Sequence, residues 1–493
     1  MAKVDVLPEV TKFLEGAPKM TVAGRSVDST SGETFEVLDP STGARLADVP
    51  KAGIPDVDAA VDAARAAFDD RRWSGLRPGK RTEVLFKIAD LIKRNLNELA
   101  QLEALDSGKP ITMASGEMWA ASECFRYYAG WPTKIFGETN PTDDSLFVYS
   151  TREPVGVCAG IIPWNFPLIN ASWKVAPALA FGNTIVLKPA EQTPLTALRL
   201  GELCLEAGVP EGVVNVLSGF GEDAGRALAQ HYGVDKVSFT GSTEVGRKIL
   251  HASEGNLKRV TLELGGKSPN IVFADADMRR ATKGTMFGVF NNSGQMCTAG
   301  TRVLVESSIH DDFVASLSEA TQTLKLGPAL DDETGMGPVV SAEQLERVTG
   351  YIDIGKAEGA EVVTGGGRAT ELGDGYFVQP TIFAGVRNSM KIAQEEIFGP
   401  VVAVIEVADV EEAIAVGNDT IYGLAAAVWT SDVTKAHRVA RGLRAGTVWV
   451  NTSGNYDPSV SYGGFKQSGF GRDLGVHSME AYTETKSVWI NLK

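Results

Sequence analysis

Apolar positions near the start of the chain follow a helical period. Between about residues 56 and 130 they recur every three or four positions in DVDAAVDAARAAFDD and KRTEVLFKIADLIKRNLNELAQLEALDSG, with Asp, Ser and Gly at the ends. This spacing places the apolar side chains on one face of a helix. The pattern predicts a run of amphipathic helices, and the β-rich segment 146–164 that follows is expected to form an extended hairpin or arm.

Short apolar runs then alternate with helical patterns along the rest of the chain. NTIVLKPA, VVNVLSG, KVSFTG and RVTLELGG are predicted strands, and a second alternation after residue 297 contains TRVLVES, VVAVIEVAD, AAAVWTS and TVWVN. Strands that alternate with helices of about ten to fifteen residues are typical of βαβ units and parallel sheets. We therefore predict two α/β domains with a cleft between them.

The last segment of the chain, YTETKSVWINLK (482–493), has the composition of a single strand. The backbone N–H and C=O groups along the edges of a strand need pairing partners. Another subunit is a good candidate for the partner of this terminal strand.

The composition is that of a globular protein with excess negative charge. The chain has 493 residues, 43% of them hydrophobic, and 47 Lys and Arg against 62 Asp and Glu give a net charge of −15. Binding to nucleic acid or to an anionic membrane needs clustered positive charge, so we expect neither partner. No apolar run approaches the ~18 residues of a membrane span, and the N-terminus has no apolar signal region. We expect a cytoplasmic protein.

The four cysteines are far apart in the sequence, which makes a disulfide framework unexpected and favours a reducing compartment. No C-x-x-C or H-E-x-x-H spacing occurs, so no metal site is predicted. Cys297 lies among small and polar residues in NNSGQMCTAG, whereas cysteine is usually buried among apolar neighbours. A nucleophile, with or without a distant histidine partner, and an ordinary residue at a helix end both remain open for Cys297.

Turns after the predicted strands of the first half indicate a nucleotide crevice, because doubly wound sheets bind ligands at the carboxyl ends of their strands. GFGEDAG departs from the G-x-G-x-x-G pattern and is a weak signal. In FTGSTEVG, Gly241 and Ser242 stand at a helix start, where capping and phosphate binding are compatible. In LKPAEQTP, Glu191 could accept hydrogen bonds from ribose hydroxyls, which favours NAD, or it could cap the next helix.

Three other segments carry polar groups suited to carbonyl chemistry. In PWNFP, Asn165 offers a side-chain N–H donor at a predicted strand-to-helix turn. Glu263 ends a predicted strand in LELGGKSPN, and in EEIFGP (395–400) one of two acids could reach a ribose. A thiol, an amide donor and a carboxylate beside a nucleotide crevice are the groups needed for covalent oxidation of a carbonyl.

The segments PWNFP, KPAEQTP, FTGSTEVG, LELGGKSPN, GQMC, EEIFGPV and GGFKQSGFGRDLG occur in the order and spacing of the aldehyde dehydrogenase superfamily. From about residue 20 to the C-terminus, the chain resembles the hydrolytic, non-CoA-acylating branch of this superfamily. The resemblance implies a homo-oligomer, either a tetramer or a dimer. It implies an α/β fold with a Rossmann-type NAD-binding domain (1–133 and 154–262), an α/β catalytic domain (263–477) and a small β-arm oligomerisation element (134–153 and 478–493).

The resemblance also implies the catalytic groups. Cys297 is then the nucleophile that forms a thiohemiacetal and a thioester, Asn165 holds the oxyanion with the Cys297 backbone N–H, and Glu263 is the general base for hydrolysis. NAD is the implied cofactor, with NADP less favoured. The implied cofactor-binding residues are Ile161, Ile162, Pro163, Trp164, Lys188, Glu191, Gly221, Phe239, Gly241, Ser242, Gln344, Arg347, Glu396 and Phe398. Among them, Arg347 stands where relatives often have lysine.

The substrate channel implied by the resemblance is partly aromatic, and its residues are Phe166, Asn170, Trp173, Met296, Thr298 and Tyr456. No arginine pair suits an acidic semialdehyde, and no aromatic box for a quaternary ammonium group is evident in the loop of Tyr456. We expect an uncharged aliphatic or phenylacetaldehyde-like arylalkyl aldehyde, with betaine aldehyde or an aminoaldehyde as the alternative. A CoA-acylating enzyme and a catalytically silent, crystallin-like relative are less favoured, because Glu263 and Cys297 are both present.

Two further features of the resemblance concern charge. Asp473 stands where many relatives have a glutamate linked to proton relay, which leaves that function open. Arg259, Arg472 and Glu484 match a structural charge network between the catalytic loop and the subunit interface of relatives.

Overall fold

The computed structural model describes residues 4–493. Four helices, α2 to α5, occupy the segment that the sequence predicts to be helical. At the start of α2, Asp56 accepts a hydrogen bond from the Gly53 N–H at 2.8 Å, which satisfies a free amide of the first turn. The helices of the described range are α1 (Pro8–Glu15), α2 (Ile54–Asp69), α3 (Pro78–Arg94), α4 (Leu96–Ser107), α5 (Ile111–Ala129), α6 (Pro167–Ala180), α7 (Leu195–Glu206), α8 (Arg226–Gln230), α9 (Thr243–Ala252), α10 (Met278–Phe290), α11 (His310–Gln322), α12 (Ala342–Ala357), α13 (Lys391–Gln394), α14 (Val410–Asn418), α15 (Val433–Gly442) and α16 (Ser478–Tyr482).

The strands of the same range form two large sheets and two small ones. In chain order they are β1 (Met20–Val22), β2 (Arg25–Val27), β3 (Thr34–Leu38), β4 (Arg45–Pro50), β5 (Thr139–Asn140), β6 (Leu146–Pro154), β7 (Val157–Ile161), β8 (Thr184–Lys188), β9 (Val214–Val216), β10 (Lys236–Thr240), β11 (Arg259–Glu263), β12 (Pro269–Val272), β13 (Arg302–Glu306), β14 (Glu361–Thr364), β15 (Thr381–Ala384), β16 (Val401–Val407), β17 (Ala425–Trp429), β18 (Thr447–Val450), β19 (Gly469–Phe470) and β20 (Thr483–Asn491).

The eight-stranded sheet has the order β19-β11-β10-β7-β8-β9-β1-β2. Its five central strands are parallel, whereas β1 and β19 run antiparallel to their neighbours. From β7 the chain continues to β8 and β9 on one side and then returns to β10 and β11 on the other. The strand order therefore reverses between β7 and β10, and ligands of doubly wound sheets bind at such a reversal.

The seven-stranded sheet has the order β14-β15-β16-β13-β12-β17-β18, and only its β14–β15 pair is antiparallel. The four strands of the second predicted alternation, TRVLVES, VVAVIEVAD, AAAVWTS and TVWVN, all lie in this sheet. Two mostly parallel sheets connected through helices confirm the predicted α/β class. A two-stranded ribbon of β3 and β4 lies outside both sheets.

A three-stranded antiparallel sheet, β20-β6-β5, forms the arm. Of the two alternatives predicted for 146–164, the arm is present, since β6 pairs with β20 and β5. The hairpin is wrong, because β7 lies inside the eight-stranded sheet. The terminal strand is expected to pair with another subunit, but it pairs within its own chain. β20 pairs with β6 from Thr483 to Asn491. Strand tendency is local, but long-range packing selects the neighbour, so the sequence pattern could not identify either pair.

One short strand crosses the predicted domain limits. β19 falls in the range 263–477, yet it pairs with β11 of the eight-stranded sheet. The predicted domain boundaries at residues 133, 154, 262 and 477 remain predictions.

Apolar side chains cover both faces of the eight-stranded sheet. One core cluster includes side chains of α3 to α7, and another joins side chains of α2, α8 and α9. Parallel strands are buried on both faces in such folds, and every residue of β7 and β8 is buried. Across residues 4–493, no helix is long and apolar enough to cross a membrane.

Candidate active site

A large cleft lies at the carboxyl ends of β7, β8, β10 and β11, and loops of the seven-stranded half form its other wall. Its volume is about 2030 Å³, whereas pockets for one small molecule typically measure about 300–1,000 Å³. Every residue predicted for the catalytic, cofactor and substrate groups lines this cleft. The cleft therefore has room for a dinucleotide and a second, smaller molecule.

Cys297 follows a tight turn at the end of α10. Asn292, Ser293 and Gly294 adopt positive φ angles of 49°, 55° and 72°, and the first two are strained because they carry side chains. The Asn292 side chain donates to the Asn165 backbone oxygen at 2.9 Å, and the Ser293 hydroxyl donates to the Gly337 oxygen at 2.7 Å. These long-range hydrogen bonds hold the strained turn and fix the position of the cysteine.

The Cys297 thiol faces the cleft within a crowded setting. Its Sγ lies 3.0 Å from the hydroxyl oxygen of Tyr462. A Cβ atom at Gly266 would collide with the Cys297 carbonyl oxygen, so this close approach requires glycine. Burial raises the pKa of the Cys297 thiol to about 12, the hydrogen bond with Tyr462 lowers it, and the charges of Glu396 and Glu263 raise it.

Asn165 lies in the turn between β7 and α6, as its motif predicts. Its side-chain N–H group donates to the Gln295 backbone oxygen at 2.9 Å, which places the amide two residues from Cys297. Its own backbone oxygen accepts from the buried Lys109 ammonium at 3.0 Å as well as from Asn292. The turn is thus held from two sides, and the second N–H of the Asn165 amide is available to a ligand in the cleft.

Glu263 ends β11 and is only 3% exposed. Within residues 4–493 neither of its carboxylate oxygens has a hydrogen-bond partner. Burial raises the pKa of Glu263 well above its ordinary value, and the charge of Asp473 adds to this rise, whereas Lys174 and Arg472 oppose it. A buried carboxyl group with a raised pKa and free acceptor atoms has the properties of a general base.

The nucleotide end of the cleft contains a carboxylate and a free helix terminus. Glu191 lies after β8, with its carboxylate 3.2 Å from the Lys188 ammonium, and burial lowers the pKa of Lys188. Ser242 caps α9, and its hydroxyl accepts the Val245 N–H at 3.2 Å. A Cβ atom at Gly241 would collide with the Phe239 ring. The exposed amides of this helix start suit a pyrophosphate, and the carboxylate suits a ribose.

The middle of the cleft contains the segment 396–398. Glu396 accepts the Gly266 N–H at 3.0 Å, and burial raises its pKa to about 7. Gln344 donates to the Phe398 backbone oxygen and Arg347 donates to the Glu396 backbone oxygen, each at 2.7 Å. Gln344 and Arg347 therefore fix the backbone of the segment that carries Glu396 and Phe398. All four residues are predicted to bind the cofactor. The neighbouring acid, Glu395, instead accepts the Tyr351 hydroxyl at 2.6 Å.

The substrate end of the cleft gathers aromatic rings around the thiol. The Trp173 ring lies 6.2 Å from that of Tyr456 and 4.9 Å from that of Tyr462, measured between centroids. The Thr298 hydroxyl lies 2.7 Å from the Tyr456 hydroxyl. Three other predicted channel residues, Phe166, Asn170 and Met296, line the same cleft.

Sequence reasoning missed two residues of the site. Tyr462 reaches the Cys297 sulfur from 165 positions away in the chain, and Lys109 reaches the Asn165 turn from a buried ion cluster with Glu103 and Glu117. Tyr462 directly precedes a Gly-Gly pair, which is the local signal that could have drawn attention to it. Nothing near Lys109 in the sequence indicates its contact with the turn.

The structure brings only some of the charged residues named in the sequence analysis into contact with one another. Lys174 and Asp473 form a buried ion pair next to Glu263. Arg259 pairs with Glu484 of the terminal strand, as the proposed network requires. Arg472 instead donates to the Gly464 and Gly471 backbone oxygens.

Comparison with known proteins gives a consistent result. A family model described as the aldehyde dehydrogenase family matches residues 26–488. An aldehyde dehydrogenase of Aspergillus niger is 51% identical over 473 residues, which cover 96% of this chain and 94% of that protein. The NAD+ complex of an aldehyde dehydrogenase from Bacillus cereus has a TM-score of 0.98 at 49% identity, and the match covers 100% of both chains.

Two other solved relatives are named for their substrates. An indole-3-acetaldehyde dehydrogenase of P. syringae in complex with NAD+ is 47% identical, with a TM-score of 0.95 and coverage of 96% of this chain and 97% of that one. A betaine aldehyde dehydrogenase of Staphylococcus aureus in complex with NAD+ is 40% identical, with a TM-score of 0.96 and coverage of 98% of both chains. The resemblance that the motifs predict is confirmed, and the chain belongs to the aldehyde dehydrogenase family.

Proposed function

We propose that this protein oxidises an aldehyde to the carboxylic acid through a thioester on Cys297, with NAD as the hydride acceptor. The observation that carries the proposal is the convergence of three groups on one cleft. A thiol, a held side-chain amide and an unpartnered carboxylate lie together beside a site suited to a dinucleotide. Membership of the family makes aldehyde oxidation the chemistry that this arrangement supports best.

Covalent attack is the first step of the proposed mechanism. The thiolate of Cys297 adds to the aldehyde carbon, and the carbonyl oxygen becomes an oxyanion. The free N–H of the Asn165 amide and the Cys297 backbone N–H stabilise this oxyanion, and one such donor is typically worth about 3–4 kcal/mol. The hydrogen bonds from Lys109 and Asn292 to the Asn165 backbone keep the donor in place during the step.

NAD, when bound, supplies the acceptor for the hydride that leaves the aldehyde carbon. The residues fit this cofactor because the Glu191 carboxylate can accept from both adenosine ribose hydroxyls, and the start of α9 offers amides to the pyrophosphate. The Glu396 carboxylate is suited to accept hydrogen bonds from the hydroxyls of the second ribose of NAD. A 2′-phosphate would meet the negative charge of Glu191, so NAD is preferred over NADP.

Hydrolysis of the thioester completes the reaction. Glu263 takes a proton from a water molecule, the resulting hydroxide attacks the acyl carbon, and the Cys297 thiolate leaves as the acid forms. The two free carboxylate oxygens of Glu263 can receive this proton without losing an existing hydrogen bond. The raised pKa makes the ionised carboxylate a stronger base than an exposed glutamate, which favours removal of a proton from water.

We infer an uncharged aliphatic or arylalkyl aldehyde as the substrate. Trp173, Tyr456 and Tyr462 offer ring faces and edges beside the thiol, and such surfaces favour an apolar or aromatic side chain. The relative named for indole-3-acetaldehyde acts on an aldehyde of this kind.

A second candidate is a cationic aldehyde such as betaine aldehyde or an aminoaldehyde. Trp173 is far from Tyr456 and Tyr462 in the sequence, but the three rings form one cluster in the structure. The faces of aromatic rings attract ammonium groups. The relative named for betaine aldehyde supports this alternative.

A panel of aldehydes assayed for NADH formation tests these proposals. We expect phenylacetaldehyde and medium-chain aliphatic aldehydes to give higher kcat/KM values than betaine aldehyde or an aminoaldehyde, and NAD to give higher values than NADP. A preference for betaine aldehyde would replace the first substrate proposal by the second. NADH formation that requires added coenzyme A would contradict hydrolysis by Glu263, and no NADH with any aldehyde would favour a silent relative.

We also propose that the protein is a homo-oligomer, a tetramer or a dimer, joined through the arm. The outer edge of β20 has no neighbouring strand within residues 4–493. Trp489 in this strand and Leu492 just after it are each 62% exposed. Exposed strand edges with apolar side chains favour association. Sedimentation velocity would show a monomer if this proposal is wrong. The cytoplasmic location stays a prediction.

A further inference from the structure

The hydroxyl oxygen of Tyr462 lies 3.0 Å from the Cys297 sulfur, within hydrogen-bond distance. The tyrosine is only 5% exposed, and its backbone is paired with that of Asp473 by two hydrogen bonds of 2.8 and 2.9 Å. Its ring packs against Trp173 at 4.9 Å and against Tyr456 at 5.6 Å between centroids. Because backbone and ring are both fixed, the hydroxyl is directed at the sulfur.

The direction of this hydrogen bond follows from the protonation state of the thiol. A thiolate has no hydrogen to donate, so in the reactive form of Cys297 the Tyr462 hydroxyl is the donor. Burial raises the pKa of Tyr462 well above its ordinary value, which favours a hydroxyl that keeps its hydrogen.

The other groups that face the sulfur do not supply this stabilisation. The carboxylates of Glu396 and Glu263 disfavour a second negative charge, and the Tyr456 hydroxyl is engaged with Thr298. The cysteine's own backbone N–H joins Tyr462 in lowering the thiol pKa.

We propose that Tyr462 is a further catalytic residue, whose hydroxyl donates a hydrogen bond to the Cys297 thiolate and holds its sulfur for attack on the carbonyl carbon. The inference rests on the proposed function of Cys297 as the nucleophile. No bond other than this hydrogen bond forms or breaks at Tyr462, and its proton stays on oxygen throughout.

Alkylation of Cys297 by iodoacetamide tests the inference without aldehyde or cofactor. The rate is measured from about pH 6 to about pH 10 for the wild type, Tyr462→Phe and Tyr128→Phe, and the labelled peptide is identified by mass spectrometry because three other free cysteines are present. Tyr128→Phe is the matched control, since it also removes the hydroxyl of a buried tyrosine, but that hydroxyl contacts Ser478 at 2.9 Å and lies outside the cleft.

We expect Tyr462→Phe to raise the pKa of the Cys297 thiol by about one to two units, because a hydrogen bond to a charged group is lost. A thiolate of higher pKa is also a stronger nucleophile, which returns about half of the loss. The net rate below the pKa should therefore fall by about 3- to 15-fold, which displaces the curve of rate against pH towards higher pH. The curve for Tyr128→Phe should superimpose on that of the wild type.

Superimposed curves for Tyr462→Phe and the wild type would overturn the inference, as would an equal displacement for Tyr128→Phe. Iodoacetate serves as a second probe, and a displacement seen with only one of the two reagents would indicate altered access instead of altered ionisation. Replacing Tyr462 by 3-fluorotyrosine, a stronger donor of nearly the same shape, should displace the curve towards lower pH, and a shift in the opposite direction would also contradict the inference.

The result is separable from that of the proposed function. If the expected displacement occurs but no aldehyde gives NADH, the tyrosine acts on the thiol and the proposed reaction is wrong. If aldehydes are oxidised and the curves superimpose, the reaction stands and Tyr462 is only a wall of the channel.

Discussion

The two ends of the cleft hold their polar side chains in different ways. At the nucleotide end the partners are close in sequence, since Glu191 pairs with Lys188 and Ser242 caps its own helix at Val245. At the reaction end Cys297, Glu263 and Asn165 contact residues more than a hundred positions away, or have no partner within the described range. The nucleotide end is a locally satisfied binding surface, whereas the reaction end keeps unsatisfied groups that only the whole fold can hold in place.

The largest effect should come from removing the thiol. Cys297→Ala eliminates the only group proposed to form a covalent bond with substrate, so aldehyde-dependent NADH formation should fall by at least about 10⁴-fold. The nucleotide end should not change, so NAD binding measured by fluorescence quenching should remain. If iodoacetamide modifies Cys297 in the wild type and turnover continues, the nucleophile is another group.

Glu263→Gln should stop the reaction at a later step. Acylation needs no general base at this position, so a burst of NADH should equal the number of active sites. The steady-state rate should then fall by about 10²- to 10⁴-fold because water is no longer activated. A stopped-flow trace separates the two phases, and a normal steady-state rate would remove Glu263 from the mechanism.

The pH dependence of the wild type follows from the same residue. Glu263 acts as a base only when it is ionised, and its pKa is raised above the ordinary value of 4.5. Hydrolysis should therefore slow as the pH falls through this raised pKa, at a higher pH than an exposed glutamate would require.

Asn165→Ala should reduce kcat by about 10²- to 10³-fold, because one oxyanion donor is lost. The KM for the aldehyde should change little, since the donor acts mainly on the charged intermediate. Lys109→Met offers a comparison, because it leaves the amide in place and removes one of the two hydrogen bonds that hold the turn. A change in KM alone for Asn165→Ala would indicate a residue that binds substrate and does not stabilise the oxyanion.

Glu191→Gln tests the opposite end of the cleft. Removing the charge should raise the KM for NAD by about tenfold, because hydrogen bonds from ribose to a charged acceptor are stronger than those to a neutral one. The same change should improve the use of NADP, while kcat with saturating NAD stays close to that of the wild type. A loss of kcat without a change in KM would place Glu191 outside the cofactor site.

The contrast between the two ends also explains how far the sequence could be interpreted. Alternating strands and helices, the helix start at Ser242 and the strand end at Glu191 depend on neighbours within a few residues, so periodicity and turn motifs predicted them. The pairing of β6 with β20 and the contacts of Tyr462 and Lys109 depend on groups that only folding brings together. The resemblance located Cys297, Glu263 and Asn165 through their motifs, but the residues that hold them belong to no local pattern.

The smallest expected effect is on stability, and it distinguishes the two ends without any assay of turnover. The folded-state pKa of Glu263 is raised, so the folded protein binds more protons than the unfolded chain between the ordinary value of 4.5 and the raised value. Stability contributed by this group is therefore lost as the pH rises through that window. Glu263→Gln removes the buried charge, and its Tm at neutral pH should exceed that of the wild type by roughly 1–3 °C.

Glu191→Gln is the matched control for this measurement, because the Glu191 side chain is 29% exposed and already paired with Lys188. Its Tm should stay within about 1 °C of the wild type, or fall slightly as the ion pair is lost. The difference between the variants should narrow as the pH falls below the raised pKa of Glu263, because its carboxyl group is then uncharged in the folded protein. Equal Tm values at neutral pH would mean that the Glu263 carboxylate is solvated or paired in solution, and that the unsatisfied group at the reaction end carries no cost in stability.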